Sequence, residues 1–275
     1  MYKYSVLMSV YKNDHPQHLA LSIESMLRQT YLCDQFVIVK DGPLSADLND
    51  VIEEYSAKQP DLYTIVALEN NVGLGRALDI GLKYCKNELV ARMDSDDISL
   101  PERCKREIEC FCVDPDLDIV GTYINEFSEN PEEILSSRVV PCEHDEIVKF
   151  ARRRSPFNHP TVMYKKSAVI RCGGYGGTKR KEDLCLFPAM VNSGCQARNI
   201  PEALLLYRSN KDNLKRRKNW VNCKEYVEVI YKNYLKGYSG LFDLIYVAVA
   251  QMVFFVIPAW LAQAISNKLL RKNPL

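Results

Sequence analysis

A chain of 275 residues, 47% hydrophobic and 26% charged, can fill one large domain or a domain with an appendage, which excludes disorder as its ground state. The formal net charge of +1 speaks against a dedicated nucleic-acid binder, which carries a basic excess or stripe. The ten cysteines lie within helix- and strand-like stretches, and Met1–Tyr11 reads as a strand and not a secretory leader. The expectation is a reduced cytoplasmic protein whose cysteines serve as small buried hydrophobes. Zinc is not expected, because Cys110 and Cys112 lack the usual two-residue gap and no second pair follows.

Tyr4–Val10 (YSVLMSV) is an apolar run without polar alternation, as a strand buried on both faces requires. Asn13 and Asp14 offer N-caps, Pro16 suits a first helical turn, and Leu19, Ile23, Met26 and Leu27 recur at helical spacing. Phe36–Val39 reads as a second strand ending at Lys40-Asp41-Gly42, followed by a helix with Leu48, Val51, Ile52 and Tyr55 on one face. Tyr63–Leu68 is a third strand ending at Glu69-Asn70-Asn71; Leu74–Tyr84 is a helix, and Glu88–Met93 is a strand running into Asp94. This alternation predicts an α/β fold with a mostly parallel central sheet and helices on both faces. Ligands gather at the carboxyl ends of the strands in such sheets. Tyr11–Asp14, Asp41, Asn70 and Asp94–Asp97 all fall at those ends, so one active site at that edge is expected.

Further along, Asp118–Tyr123, Thr161–Tyr164 and Ala203–Tyr207 read as strands, and Asp145–Arg153 and Glu182–Asn192 as helices. They are assigned to the same domain, residues 1–215, with a donor half to about residue 115 and an acceptor half beyond it. Residues 216–275 read as a C-terminal helical, membrane-associating segment. From Leu241 to Ile265 the only charged side chain is Asp243; Lys232 and Lys236 precede the stretch, and Lys268, Arg271 and Lys272 follow it. Its length fits a bilayer span, whereas Pro258 and basic residues at both ends fit interfacial helices or a re-entrant hairpin. A buried or oligomer-forming helix is the third reading.

Arg92-Met93-Asp94-Ser95-Asp96-Asp97 follows an apolar strand. Three carboxylates in four residues repel one another unless solvated or joined by a cation, and a hard Mg²⁺ or Mn²⁺ is the natural partner. An acidic turn capping the helix after Leu100-Pro101-Glu102 is the alternative. Glu182-Asp183 begins a helix after the loop Gly173–Lys181, and can be read as acids favoured by the helix dipole. Arg152-Arg153-Arg154 fits either contact with anionic lipid or a solvated helix end. His15, His18 and His144 read as non-catalytic.

Together the opening SVLMSVYKND, the VKDG at Val39–Gly42, the NNVGLGRALDIGL at Asn70–Leu82 and the acidic Asp94–Asp96 resemble family 2 glycosyltransferases of the GT-A fold, over roughly residues 3 to 210. The pattern is similar to that of bacterial enzymes that add a hexose to a lipid-diphosphate-linked sugar in O-antigen, capsule or exopolysaccharide assembly. The resemblance implies that the backbone near Val10 and Tyr11 and the carboxylate of Asp41 hold the nucleotide base, usually uracil. Asn70 and Arg76 would line the donor pocket, Asp94 would face ribose and sugar, and Asp96 would ligate Mn²⁺ or Mg²⁺ on the diphosphate. Asp79 stands where many relatives carry Asn. Gly73 and Gly75 are no dinucleotide fingerprint, since position 78 is Leu; they let the chain turn into the helix.

In inverting relatives the Asp of a Glu-Asp pair is the general base, which implies Asp183 here, with Glu182 second. Lys179, Arg180 or Lys181 would meet phosphate as the Gly173–Lys181 loop closes. His159, in Asn158-His159-Pro160, is read either as touching acceptor or diphosphate or as a structural histidine, and Arg208 either as meeting diphosphate or as a surface arginine. The implied partners are a UDP-sugar donor (glucose or galactose), a lipid-linked acceptor such as GlcNAc-diphosphate-lipid and a membrane surface, with no nucleic acid. The implied location is the cytoplasmic face of the bacterial inner membrane. A non-catalytic scaffold and a sugar-phosphate nucleotidyltransferase are the rival readings; the latter usually opens with a glycine-rich basic loop where this chain has Tyr11-Lys12-Asn13-Asp14.

Overall fold

Strand β1 (Tyr4–Val10) is almost wholly buried, and its alternate residues serve two cores: Val6, Met8 and Val10 face one, Leu7 the other. Such double burial is what an apolar run without alternation requires. In this computed structural model, which describes residues 2–176, 181–209, 218–258, 260–261 and 271–274, β1 pairs in parallel with β2 (Gln35–Lys40) and β4 (Leu89–Met93). Strand β2 pairs in parallel with β3 (Tyr63–Ala67). The remaining strands are β5 (Ile98–Ser99), β6 (Leu117–Phe127), β7 (Ser136–Arg138), β8 (Met163–Lys165) and β9 (Gln196–Arg208). Among the described residues the sheet runs β3-β2-β1-β4-β8-β6-β9-β5, with β7 paired to β6. The first four strands are parallel, β8 is antiparallel to both neighbours, and β6 and β9 pair in parallel.

Helices α1 (Pro16–Leu27), α2 (Ala46–Lys58) and α4 (Arg103–Val113) cover one face through Leu19, Ile23, Leu48, Ile52, Ile108 and Phe111. Helices α3 (Leu74–Tyr84), α5 (His144–Ala151), α6 (Lys166–Arg171) and α7 (Glu182–Asn192) cover the other. The elements from β1 to β4 match the expected ones to within a residue or two.

The second half of the domain differs. Strands β6 and β9 are 11 and 13 residues long, well beyond Asp118–Tyr123 and Ala203–Tyr207. The register shift between Thr122↔Ile200 and Tyr123↔Ala203 bulges out Pro201 and Glu202, so β9 carries a proline within it. Strand β8 begins two residues later than expected, because His159–Thr161 form a 3-10 turn.

Glu126 on β6 is buried and holds the chain's far end, pairing with Arg138 of β7 and with Arg271. Burial would raise its pKa, but the two guanidiniums override that and hold the carboxyl at about 2. A depressed carboxyl adds stability above its unfolded pKa, and that stability is lost as pH falls through the folded value. The window here is about pH 4.5 down to about 2, for a contribution of about 3 kcal/mol at most. Urea midpoints compared between about pH 6 and about pH 2.5 should fall more steeply in the wild type than in Glu126→Gln.

Helices α8 (Trp220–Leu235) and α9 (Leu241–Val256) pack on this domain. Asn233 Nδ2 donates to the Leu184 carbonyl of α7 at 3.2 Å, Ser239 Oγ to Arg152 O at 2.7 Å, and Tyr226 Oη to Arg153 O at 3.0 Å. Asp243 pairs with Arg153. Among the described residues no helix is long and apolar enough to cross a membrane.

Candidate active site

Strand β4 delivers Asp94, Ser95, Asp96 and Asp97 at its carboxyl end. Each acid has a different setting. Asp94 is paired through Oδ1 with the buried Arg92, and its carbonyl accepts from Ser22 Oγ of α1 at 2.6 Å. Asp97 accepts the Arg208 amide at 2.8 Å through Oδ1, while its Oδ2 is buried without a partner among the described residues. The Asp96 carbonyl accepts from Arg208 Nε at 2.9 Å, but among the described residues its carboxylate meets no donor. Burial, with the charges of Asp94 and Asp14, pushes Asp96 up to about 7, and burial with the charges of Asp96 and Asp94 drives Asp97 well above the carboxylate range. Oxygens of Asp94, Asp96 and Asp97 lie within 4.8 Å of one another. An all-oxygen set with one uncommitted carboxylate and one orphaned buried oxygen fits a hard divalent cation such as Mn²⁺ or Mg²⁺.

The ends of β1 and β2 border this cluster. Ser95 Oγ donates to Asp14 at 2.7 Å, and the Tyr11 amide donates to the same oxygen at 3.0 Å. Burial pushes Asp14 up to about 6, opposed by those two hydrogen bonds. The Val10 carbonyl accepts the Asp41 amide at 2.8 Å. Asp41 is itself buried, and its carboxylate accepts from Val72 N at 2.7 Å, Asn71 Nδ2 at 2.9 Å and Gly73 N at 3.1 Å. Asp41 therefore braces the turn into α3. Gly42 is obligatory beside it, with φ of 85° and Asn71 N only 2.7 Å from where a Cβ would stand. Asn70 and Arg76 are exposed on that turn and the first turn of α3.

Facing the acidic cluster is the N-terminus of α7. Lys181 precedes it in a left-handed conformation (φ 64°), the one described non-glycine residue with positive φ, and such strain concentrates at functional sites. Glu182 and Asp183 occupy the first turn. Glu182 packs directly on α3: a Cβ on Gly75 would meet Glu182 Cβ at 2.9 Å and Tyr175 Cβ at 3.3 Å. Glu182 also reaches His159 Nδ1 at 3.6 Å, whose Nε2 lies 3.4 Å from Tyr175 Oη. Burial and the nearby Arg92 charge lower His159 to about 3, so this imidazole is neutral at ordinary pH. The carboxylates of Asp183 and Asp94 oppose that lowering. His159 is enclosed by Tyr175 and Phe187, with ring centroids at 5.5 and 5.6 Å, a setting that favours the structural reading of this histidine.

Arg208 is 5% exposed and lies over the Phe127 ring at 4.5 Å, so it is not a surface arginine. Lys181 Nζ lies 5.5 Å from the ring centroid of Tyr226, which is contributed by α8. Lys179 and Arg180 lie outside the described residues. Three groups without an expected role join the site. Arg92 sits 1% exposed mid-strand, with Nε and Nη1 unpartnered among the described residues, and senses both Asp94 and Glu182. Asp79 accepts the Tyr175 amide at 2.8 Å and pins the glycine turn ahead of Lys181. Tyr226 reaches the start of α7, where its ring lies under Lys181. A charged residue inside an apolar strand was the available signal for Arg92; for Tyr226 there was none.

Residues 5–184 match the family described as glycosyl transferase family 2. The chain is 36% identical over 226 residues to the amylovoran biosynthesis glycosyltransferase AmsE of Erwinia amylovora, covering 82% of this chain and 84% of that one. It is 32% identical over 273 residues to the UDP-Gal:alpha-D-GlcNAc-diphosphoundecaprenol beta-1,3-galactosyltransferase of Escherichia coli, covering 98% of this chain and 97% of that one. In fold it is similar to the mannosyltransferase PcManGT from Pyrobaculum calidifontis, solved with GDP-Man and Mn²⁺, with a TM-score of 0.62 at 15% identity over 98% of this chain and 80% of that one.

Proposed function

The chain belongs to glycosyl transferase family 2 and has a GT-A-type fold, and from that premise we propose that it moves a hexose, with inversion, from a UDP-sugar to a lipid-diphosphate-linked acceptor in surface-polysaccharide assembly. The observation that carries the reading is the cluster of Asp94, Asp96 and Asp97 oxygens at the carboxyl end of β4, with the Glu182–Asp183 pair opening α7 beside the buried His159. The E. coli relative's name specifies UDP-Gal and a GlcNAc-diphosphoundecaprenol acceptor, which supports galactose or glucose on GlcNAc-diphosphate-lipid here.

In this reading Asp96, with Asp94 and Asp97, holds Mn²⁺ or Mg²⁺. A bound cation would offset the charge that builds on the departing diphosphate. Asp94, fixed by Arg92, faces the sugar. Asp183 accepts the proton of the acceptor hydroxyl as its oxygen bonds to the anomeric carbon and the carbon–oxygen bond to UDP breaks, the electron pair leaving with the diphosphate. Glu182 is held by His159 and the close approach to Gly75, and positions its neighbour. Arg208 and Lys181 supply positive charge beside the diphosphate, and Asn70, Arg76, Val10, Tyr11 and Asp41 shape the donor pocket.

Calorimetry with UDP and GDP, with and without Mn²⁺, followed by a UDP-sugar panel with a synthetic GlcNAc-diphosphate-lipid, tests the proposal. Metal-dependent preference for UDP and acceptor-dependent turnover of one donor are expected. Failure to bind either nucleotide would overturn it. Gly75→Ala bears on the geometry: its methyl would push α7 outward, and turnover should fall by about 10²-fold while UDP affinity stays near the wild-type value.

A further inference from the structure

Helix α9 presents its apolar side to solvent. Phe242, Ile245, Tyr246, Val249, Met252, Val253 and Val256 are all exposed, Phe242 at 86% and Val256 at 74%. Their spacing of three and four residues puts them on one arc of about 120°. The opposite side is buried through Asp243 and Val247. A surface helix of an isolated soluble domain shows the reverse pattern. On α8, Trp220, Tyr231 and Leu235 are exposed as well, and the Trp220 ring packs on Phe255 at 5.6 Å, linking the two helices.

Charge complementarity identifies what covers this face. The one charge of α9, Asp243, is committed to Arg153, so the apolar stripe itself is uncharged. The Arg153 guanidinium lies over the exposed Tyr246 ring at 4.6 Å, which places the Arg152–Arg154 run at the border of the stripe. Lys232 is exposed on α8 and Lys236 at its C-terminal cap. An uncharged aromatic and aliphatic face edged by arginine and lysine fits the headgroup region of an anionic bilayer. At 16 residues α9 is about 24 Å long, too short to span the roughly 30 Å of a hydrocarbon core.

We propose that the α8–α9 hairpin is a docking surface for an anionic lipid bilayer, and that it orients the Asp183 end of α7 towards that bilayer. The mechanical link is direct: α8 holds α7 through Asn233 and Leu184, and Tyr226 of α8 lies against Lys181 at the start of α7. The functional meaning rests on the lipid-linked acceptor proposed above; the docking itself does not.

The test is co-sedimentation of the full chain with phosphatidylglycerol-containing and with pure phosphatidylcholine vesicles, beside the triple variant Phe242→Ser, Val249→Ser, Met252→Ser. Turnover is measured in parallel on a vesicle-embedded acceptor and on a short-chain, water-soluble one. The wild type should bind the anionic vesicles, with binding weakened by salt. The triple variant should lose at least about tenfold in partitioning. It should lose turnover on the embedded acceptor and keep it on the soluble one. A Lys232→Gln, Lys236→Gln variant should lose roughly fivefold per lysine on anionic vesicles alone. Absence of vesicle binding with soluble-acceptor turnover intact would overturn the docking inference and leave the transferase reading standing. Vesicle binding without turnover on either acceptor would leave docking standing and overturn the transferase reading. A stable dimer in light scattering that the triple variant converts to monomer would assign the face to a second copy and overturn docking.

Discussion

Asp183→Asn is expected to lower sugar transfer by about 10²–10⁴-fold while leaving metal-dependent UDP binding unchanged. The substitution keeps the size of the side chain and its place in the first turn of α7, so the fold has no reason to change. It removes only the capacity to accept a proton. Glu182 cannot take over that role without moving, because it is wedged over Gly75 and directed to His159. His159 cannot take it over either: burial and Arg92 lower it to about 3, so an imidazolium beside Arg92 is strongly disfavoured. Steady-state rates at saturating donor, together with calorimetric UDP affinities, check the separation. Loss of both rate and affinity would place Asp183 in the donor site instead.

Asp96→Asn should act in opposite directions on stability and on binding. Without a cation, burial and the charges of Asp94 and Asp14 disfavour an ionised Asp96, whose carboxylate has no compensating donor among the described residues. Replacing it by Asn removes, at nearly constant volume, the charge that Asp96 takes on above about pH 7. In chelator the variant should melt higher, by about 2–4 °C for each kcal/mol of repulsion relieved. With Mn²⁺ present its UDP affinity should drop by about 10–100-fold, because a ligand to the cation is lost. Thermal midpoints in chelator and calorimetry with Mn²⁺ measure the two effects. A lower midpoint with unchanged UDP affinity would make the Asp94–Asp97 turn a capping element and not a metal site.

The donor half was legible from the sequence because its signals are local. Buried parallel strands such as Tyr4–Val10 are unbroken apolar runs, and polar residues at their ends mark the edge where ligands collect. The acceptor half was less so. Strand β9 absorbs Pro201 in a bulge whose register is set by β6, about 80 residues earlier in the chain, and no local pattern carries that pairing. The same distance problem hid Tyr226, which reaches the Lys181 and Asp183 region from a helix more than 40 residues downstream. Arg92 was visible as a charge inside an apolar run, yet its value depends on Glu182 and His159 arriving from two other elements. Asp41 shows the converse: a motif residue expected at the base-binding position has its carboxylate engaged by the turn at Asn71–Gly73.

The central claim is that the acids at the end of β4 and Asp183 at the start of α7 form one inverting transferase site. The most direct test is proton NMR of the new glycosidic bond made from a UDP-hexose on a short-chain GlcNAc-diphosphate-lipid. The account predicts acceptor-dependent product, abolished by chelation and by Asp183→Asn, with the anomeric configuration opposite to that of the donor. Product of retained configuration, or product whose formation is indifferent to Asp183, would contradict it.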